Sequence, residues 1–184
     1  MTDLWRLPET VRLGDRQQPI NTDFRNILRI IGYLNDSSLP EIFRWRIALK
    51  LFYGEELLQP DAMEAMCRFI AGGEEAQGAG HKLLDWQRDA DLIVADVNRV
   101  AGTEIRALAH VHWWTFLAWF HGIGDGQLCT LVSIRDKLRR GKKLEGWEKD
   151  YFRQNKDRVL LRPALSPGEQ AQKQALEEIL RRRV

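Results

Sequence analysis

Eight consecutive residues, Trp113 to Phe120, hold three tryptophans and two phenylalanines. At about 100° per residue in a helix, the side chains of Trp113, Trp114, Phe116, Leu117, Trp119 and Phe120 cover most of the circumference, and only Thr115 and the preceding His112 interrupt them. A helix apolar nearly all round cannot lie on a wet surface. It is either the central helix of a packed domain or a helix with one face in the domain core and the other against a partner protein. Trp113, Trp114, Phe116, Trp119 and Phe120 are therefore candidate core or partner-binding residues.

A chain of 184 residues is long enough to bury a core of its own and needs no disulfide or metal to fold. Its two cysteines, Cys67 and Cys129, each fall in a helix-like apolar pattern, where a free thiol behaves as a small hydrophobe and a reducing compartment is the natural setting. No apolar run approaches the roughly 20 residues of a membrane span. The polar start, with Asp3, Arg6, Glu9 and Arg12, lacks the apolar region of a secretory signal, so a cytoplasmic location is expected. The net charge of +2 hides an asymmetry. Residues 1–134 carry 13 Lys and Arg against 18 Asp and Glu, a balance of −5, whereas residues 135–184 carry 15 against 8, a balance of +7. Such a split suits head-to-tail self-association, an acidic partner or nucleic acid, without choosing among them.

Apolar spacing predicts helices along nearly the whole chain, so the fold class is all-α. A short hairpin is expected around Gly14 and Asp15 within residues 10–20, with Pro19 confining its second strand to an edge. Helices should follow at about Asp23 to Asn35 with Thr22 as N-cap, from Pro40 to a stop at Gly54, and from Asp61 to Ile70 behind Pro60. Residues 71–80 contain four glycines and no large apolar side chain, the composition of a flexible connection. Further helices are expected at Asp85 to Val100, closed by Gly102, at Glu104 to His121 and at Gln127 to Arg140, with a short one at Trp147 to Lys156. Pro163 and Pro167 then set a last helix, Gly168 to Arg183, apart from a domain of residues 1–162. Its thin apolar face (Ala171, Ala175, Leu176, Ile179) makes it marginal in isolation, so Leu176 and Ile179 are expected to dock on another chain. The expected architecture is a compact multi-helix domain with a short N-terminal β-hairpin and a loosely attached C-terminal helix within 163–184.

Sites of chemistry are hard to find in this sequence. Asp85, Asp89 and Asp96 would share one face of the expected helix, as a cation site or acid/base pair requires. Arg88 and Arg99 lie on the same face, however, and i,i+3 ion pairs with Asp85 and Asp96 are the simpler expectation. His110 and His112 would diverge by about 200° on a helix, which argues against a shared metal. Neither cysteine belongs to a C-x-x-C motif, no serine sits in G-x-S-x-G, and the glycine-rich stretch has no phosphate-binding spacing. The expectation is a protein with no catalytic residues, no cofactor and no metal, and hence not an enzyme. Arg135, Lys137, Arg139, Arg140, Lys142 and Lys143 form a basic patch interrupted only by one acid, Asp136. Without interleaved aromatics or a helix-turn-helix signature, it is better explained as a solvated helix end than as a nucleic-acid site.

Three elements in order have a family likeness: Asp85-x-x-x-Asp89-Ala90-Asp91-x-Ile93-x-Ala95, then His112-Trp113-Trp114-x-Phe116, then Ile134-Arg135 in the next helix. Together with the Gly14 hairpin and Ile20-Asn21-Thr22-Asp23-Phe24-Arg25 before the first helix, this pattern resembles the bacteriophage gene-product-fifteen family over about residues 10–160. Val94 and Val97 stand where that family usually has aromatic residues, and the loop before the aromatic helix is Ala101-Gly102-Thr103. The resemblance implies a role in tail morphogenesis, as a tail assembly chaperone that binds the tape measure protein, with the major tail protein and further copies of itself as other partners, in the cytoplasm of the bacterial host. The alternatives are a structural head-tail or tail-completion component that stays in the virion, and a nucleic-acid-binding regulator acting through the basic patch.

Overall fold

Gly14 adopts a φ of 57°, in the left-handed region open to glycine, and so turns Thr10–Leu13 (β1) back onto Arg16–Pro19 (β2). The two strands pair antiparallel, Thr10 opposite Pro19 and Leu13 opposite Arg16. This computed structural model describes residues 5–73 and 83–161. The expected terminal helix with Leu176 and Ile179, and most of the glycine-rich connection, lie outside the described residues. The chain divides into two units, residues 1–142 and 143–184. The boundary expected after residue 162 is also outside the described residues.

In the first unit, α1 (Phe24–Leu34) is capped by Asp23, whose carboxylate accepts the N–H of Arg25. Thr22 was the expected cap, but its hydroxyl is engaged with the His110 ring at 3.1 Å. Helix α2 (Glu41–Tyr53) ends at Gly54, with φ 81°, as its sequence predicts. Asn26 of α1 donates to the Leu51 carbonyl and joins the two helices. Helix α3 (Pro60–Ile70) starts on Pro60, which has no N–H to leave unpaired.

Two helices are shorter than their apolar spacing suggests. Helix α4 (Ala90–Ala101) begins at Ala90 and not at Asp85, because Asp85 Oδ1 accepts the N–H groups of Gln87 and Arg88 and holds the chain in a turn. Helix α5 (Trp113–His121) begins at Trp113 and not at Glu104. Glu104 caps only a single 3₁₀ turn, Ile105–Ala107, after which the chain runs extended beside the start of α1. Phe24 N–H donates to the Val111 carbonyl at 3.0 Å, and Trp113 N–H to the Thr22 carbonyl at 2.7 Å. Arg25 reinforces the pairing by donating to the carbonyls of Leu108 and Ala109. Helix α6 (Gln127–Arg139) closes the unit.

The core of this unit gathers Ile27 and Ile30 of α1, Leu49 and Phe52 of α2, Met66 of α3, Val97 of α4, Trp113 and Phe116 of α5, and Leu131 and Ile134 of α6, all buried. Phe116 lies at its centre, stacked on Phe24 at 4.8 Å and on Trp113 at 5.5 Å. In the second unit, Glu145 and Glu148 form a reciprocal capping box at the start of α7 (Gly146–Gln154), and α8 (Lys156–Val159) adds a single turn. The fold is thus mostly α-helical with one small N-terminal hairpin, as expected. Replacing Phe116 by Ala should cost about 3–5 kcal/mol through lost burial and the cavity left behind, seen as a lower urea midpoint of unfolding.

Candidate functional site

Each aromatic residue of α5 has a distinct place. Trp113 and Phe116 are fully buried, whereas Trp114, Leu117, Trp119 and Phe120 are half-buried. The indole N–H of Trp113 donates to the Ile70 carbonyl and that of Trp114 to the Phe69 carbonyl, both at 2.9 Å. Those carbonyls end α3: that of Phe69 also accepts the N–H of Gly72 at 3.1 Å, and beyond Ile70 no further helical N–H follows. Gly72 and Gly73 lie against the same surface with φ of 79° and 91°. A Cβ on Gly73 would come within 3.2 Å of the Trp114 ring. These two glycines, expected in a free connection, are part of the packing.

His112 caps α5. Its Nδ1 accepts the Trp114 N–H at 3.1 Å, and its Nε2 donates to the Pro8 carbonyl at 3.0 Å. The two roles together require a neutral ring with its proton on Nε2. Burial pushes the His112 pKa below its ordinary 6.5, the Pro8 carbonyl opposes this, nearby His110 adds to the lowering, and Glu9 opposes it. His110 instead faces Thr22. Both histidines precede the helix, so the divergence expected of a helical pair does not describe them.

Nor do the three aspartates share a helix face. Asp85 lies in the turn before α4, and Asp89 and Asp96 serve different neighbours. Asp89 is fully buried and accepts both guanidinium arms of Arg135, at 2.6 and 2.9 Å. Arg135 also donates to the Leu83 carbonyl, and Asp89 accepts the N–H of Asp85, so the pair fastens the turn before α4 to the middle of α6. This corrects the basic patch: Arg135 is buried and does not belong to the solvated run. Asp96 accepts the N–H of Leu128 at 3.1 Å in the first turn of α6, with Arg99 at 3.5 Å. A Cβ on Gly126 would lie 2.5 Å from an Asp96 oxygen. Among the described residues, no group of three or more His, Cys, Asp or Glu side chains is placed to hold a metal ion.

The far end of α5 and the outer face of α6 border a surface groove of about 450 Å³, lined by Leu84, Phe120, Ile123, Leu128, Cys129, Val132 and Ser133. Only Ser133 carries a hydroxyl. Cys129 is exposed there, and is not the packed hydrophobe its apolar neighbours suggest. Phe120 is thus the expected aromatic residue that reaches an open apolar surface. Beyond the groove, Arg139 and Arg140 both contact Asp136, at 2.6 and 2.8 Å, and hold its carboxyl below the ordinary range. Lys142 is exposed at the end of the first unit and Lys143 at the start of the second, while Lys137 is half-buried.

The buried ion pair and the groove escaped the sequence reading for different reasons. Arg135 takes the place of an apolar residue in the series Leu128, Leu131, Arg135, Leu138, and a charge on a buried face implies a buried partner. That signal was present. The groove has no comparable signal, since Leu84 and Ile123 come from connecting segments outside the helices.

These features define a mostly helical protein in which, among the described residues, no helix is long and apolar enough to cross a membrane. The chain matches the family model of the bacteriophage Gp15 protein over residues 4–161 and belongs to that family, which gives it a phage-related structural or morphogenetic role. No curated protein and no solved structure matches it.

Two outcomes are expected of the buried polar groups. Arg135→Met leaves the Asp89 carboxylate buried without its cation and should cost about 3–5 kcal/mol. The double variant Asp89→Asn/Arg135→Met should lose less than the two single variants together in urea unfolding, the mark of direct coupling. Because the folded His112 pKa lies below 6.5, the unfolded chain binds the proton first. The stability contribution of neutral His112 should be fully present above pH 6.5 and be lost as pH falls from there through the folded value. Unfolding midpoints measured across that window should fall for the natural chain and fall less for His112→Asn.

Proposed function

We propose that this protein works in phage tail morphogenesis as an assembly chaperone that binds the tape measure protein. Membership of the Gp15 family provides the phage setting, and the apolar groove beside Phe120 is the observation that supports a binding role. The resemblance implies a client that is long, largely helical and apolar along stripes, which must be covered until tail subunits polymerise around it. A groove of this kind accepts one face of such a helix. Ile42 and Phe43, exposed on α2, add a second apolar surface. In this reading the protein is a binding protein without catalytic residues or cofactor, acts in the host cytoplasm, and engages clients or further copies of itself through Leu176 and Ile179 as well.

Co-expression with the tape measure gene provides the test. The full-length chain should yield a soluble complex, a chain lacking residues 164–184 should yield less, and purified particles should not contain the protein. A tape measure equally soluble alone, with no complex isolated and with this chain present in virions, would favour a structural component of the particle.

A further inference from the structure

We propose that the groove between α5 and α6 holds one face of an amphipathic helix from a partner chain, oriented so that an acidic end of that helix lies over Arg139 and Arg140. The identity of the partner rests on the chaperone reading, whereas its chemistry rests on the groove alone.

The volume of about 450 Å³ suits roughly three or four aliphatic side chains, the anchors that a docked helix presents at i, i+3, i+4 and i+7. A lining whose one hydroxyl is Ser133 favours an apolar occupant over a polar ligand, which would lack hydrogen-bond partners there. The direction comes from α6. Leu128, Val132, Asp136 and Arg140 succeed one another at four-residue intervals, so the apolar floor runs along a single helix face into a charged end. At that end two guanidinium groups share one carboxylate, and exposed Lys142 follows. The opposite end has exposed Asp125 just before α6, with Arg99 donating to the Asp125 carbonyl and lying beside Asp96, so carboxylates outnumber cations there. The excess of positive charge is therefore at the Arg139 and Arg140 end. A uniformly basic strip, as a nucleic-acid backbone would require, is not what lies beside it.

Cys129 on the groove wall supplies the readout. Full-length protein carrying Cys67→Ala leaves Cys129 as the single thiol, and its alkylation rate reports whether the groove is covered. The probes are two synthetic helical peptides with leucines at i, i+3, i+4 and i+7, one with glutamates at one end and its twin with lysines there. The glutamate peptide should protect Cys129, and the lysine twin should bind on the order of tenfold more weakly at low salt, the sum of a few exposed charge contacts. That difference should shrink at high salt. Val132→Arg should abolish protection by both peptides, and the exposed double variant Arg139→Glu/Arg140→Glu should reverse the preference without touching the core. Equal binding of the two peptides, or protection that survives Val132→Arg, overturns the proposal. Faster alkylation of the free protein after deletion of residues 164–184 would show that the chain's own end fills the groove, and concentration-dependent self-protection would assign it to a second copy; either result overturns it as well. Peptide protection without a tape measure complex in co-expression would leave the groove assigned and remove only its client.

Discussion

A helix ends with carbonyl groups that lack donors, and a buried tryptophan brings an N–H that lacks an acceptor. Where α3 meets α5, the Trp113 indole satisfies both needs at the Ile70 carbonyl, and the Trp114 indole shares the Phe69 carbonyl with the Gly72 N–H. Trp113 and Trp114 each place an indole N–H on one of the last carbonyls of α3, and this fixes the axial position of α5. Phe116 then falls on Phe24, Gly73 must pass beneath Trp114 with no side chain, and Phe120 emerges at the far end beside Trp86 at 5.0 Å. The open apolar surface is in this sense a by-product of the alignment, since a helix anchored at its first turn delivers its last aromatic ring to the rim.

The residues that carry the family likeness turn out to hold the framework together. Asp89 and Arg135, far apart in sequence, are one buried ion pair. His112 uses both ring nitrogens, one to start α5 and one to hold the segment at Pro8. Trp113, Trp114 and Phe116 supply the helix-end contacts and the central stack. The groove is lined instead by residues outside those motif positions, such as Leu84, Ile123 and Val132. The motif that identifies the fold and the groove proposed to meet a partner are here made of different side chains.

Features fixed by local chemistry were legible in the sequence. Gly14, Gly54 and Gly102 all adopt positive φ at the turns and helix ends assigned to them, and Pro60 opens its helix. What failed depends on distant partners. Ile105, Leu108 and Val111 recur as they would on a helix, yet the backbone around Val111 forms its hydrogen bonds with residues near Thr22 and Phe24, and Arg25 draws the Leu108 carbonyl away. Asp85 likewise prefers its own turn to the first turn of a helix. Within the basic run, Arg135 could be separated from its neighbours only by finding Asp89.

Helix α6 is held twice by carboxylates from the same stretch of chain, Asp96 at its first turn and Asp89 at its middle. Gly126, with no room for a Cβ against Asp96, lets the start of α6 approach α4 closely. One wall of the groove is consequently preformed, and its shape does not wait for an occupant. Apolar faces docked on such a rigid wall would be discriminated chiefly by how long they stay, because escape rates follow the fit, whereas the exposed charges at its end would act chiefly on encounter. For the helix proposed to dock there, the bracing of α6 thereby makes residence time the quantity that reports the fit of its apolar face.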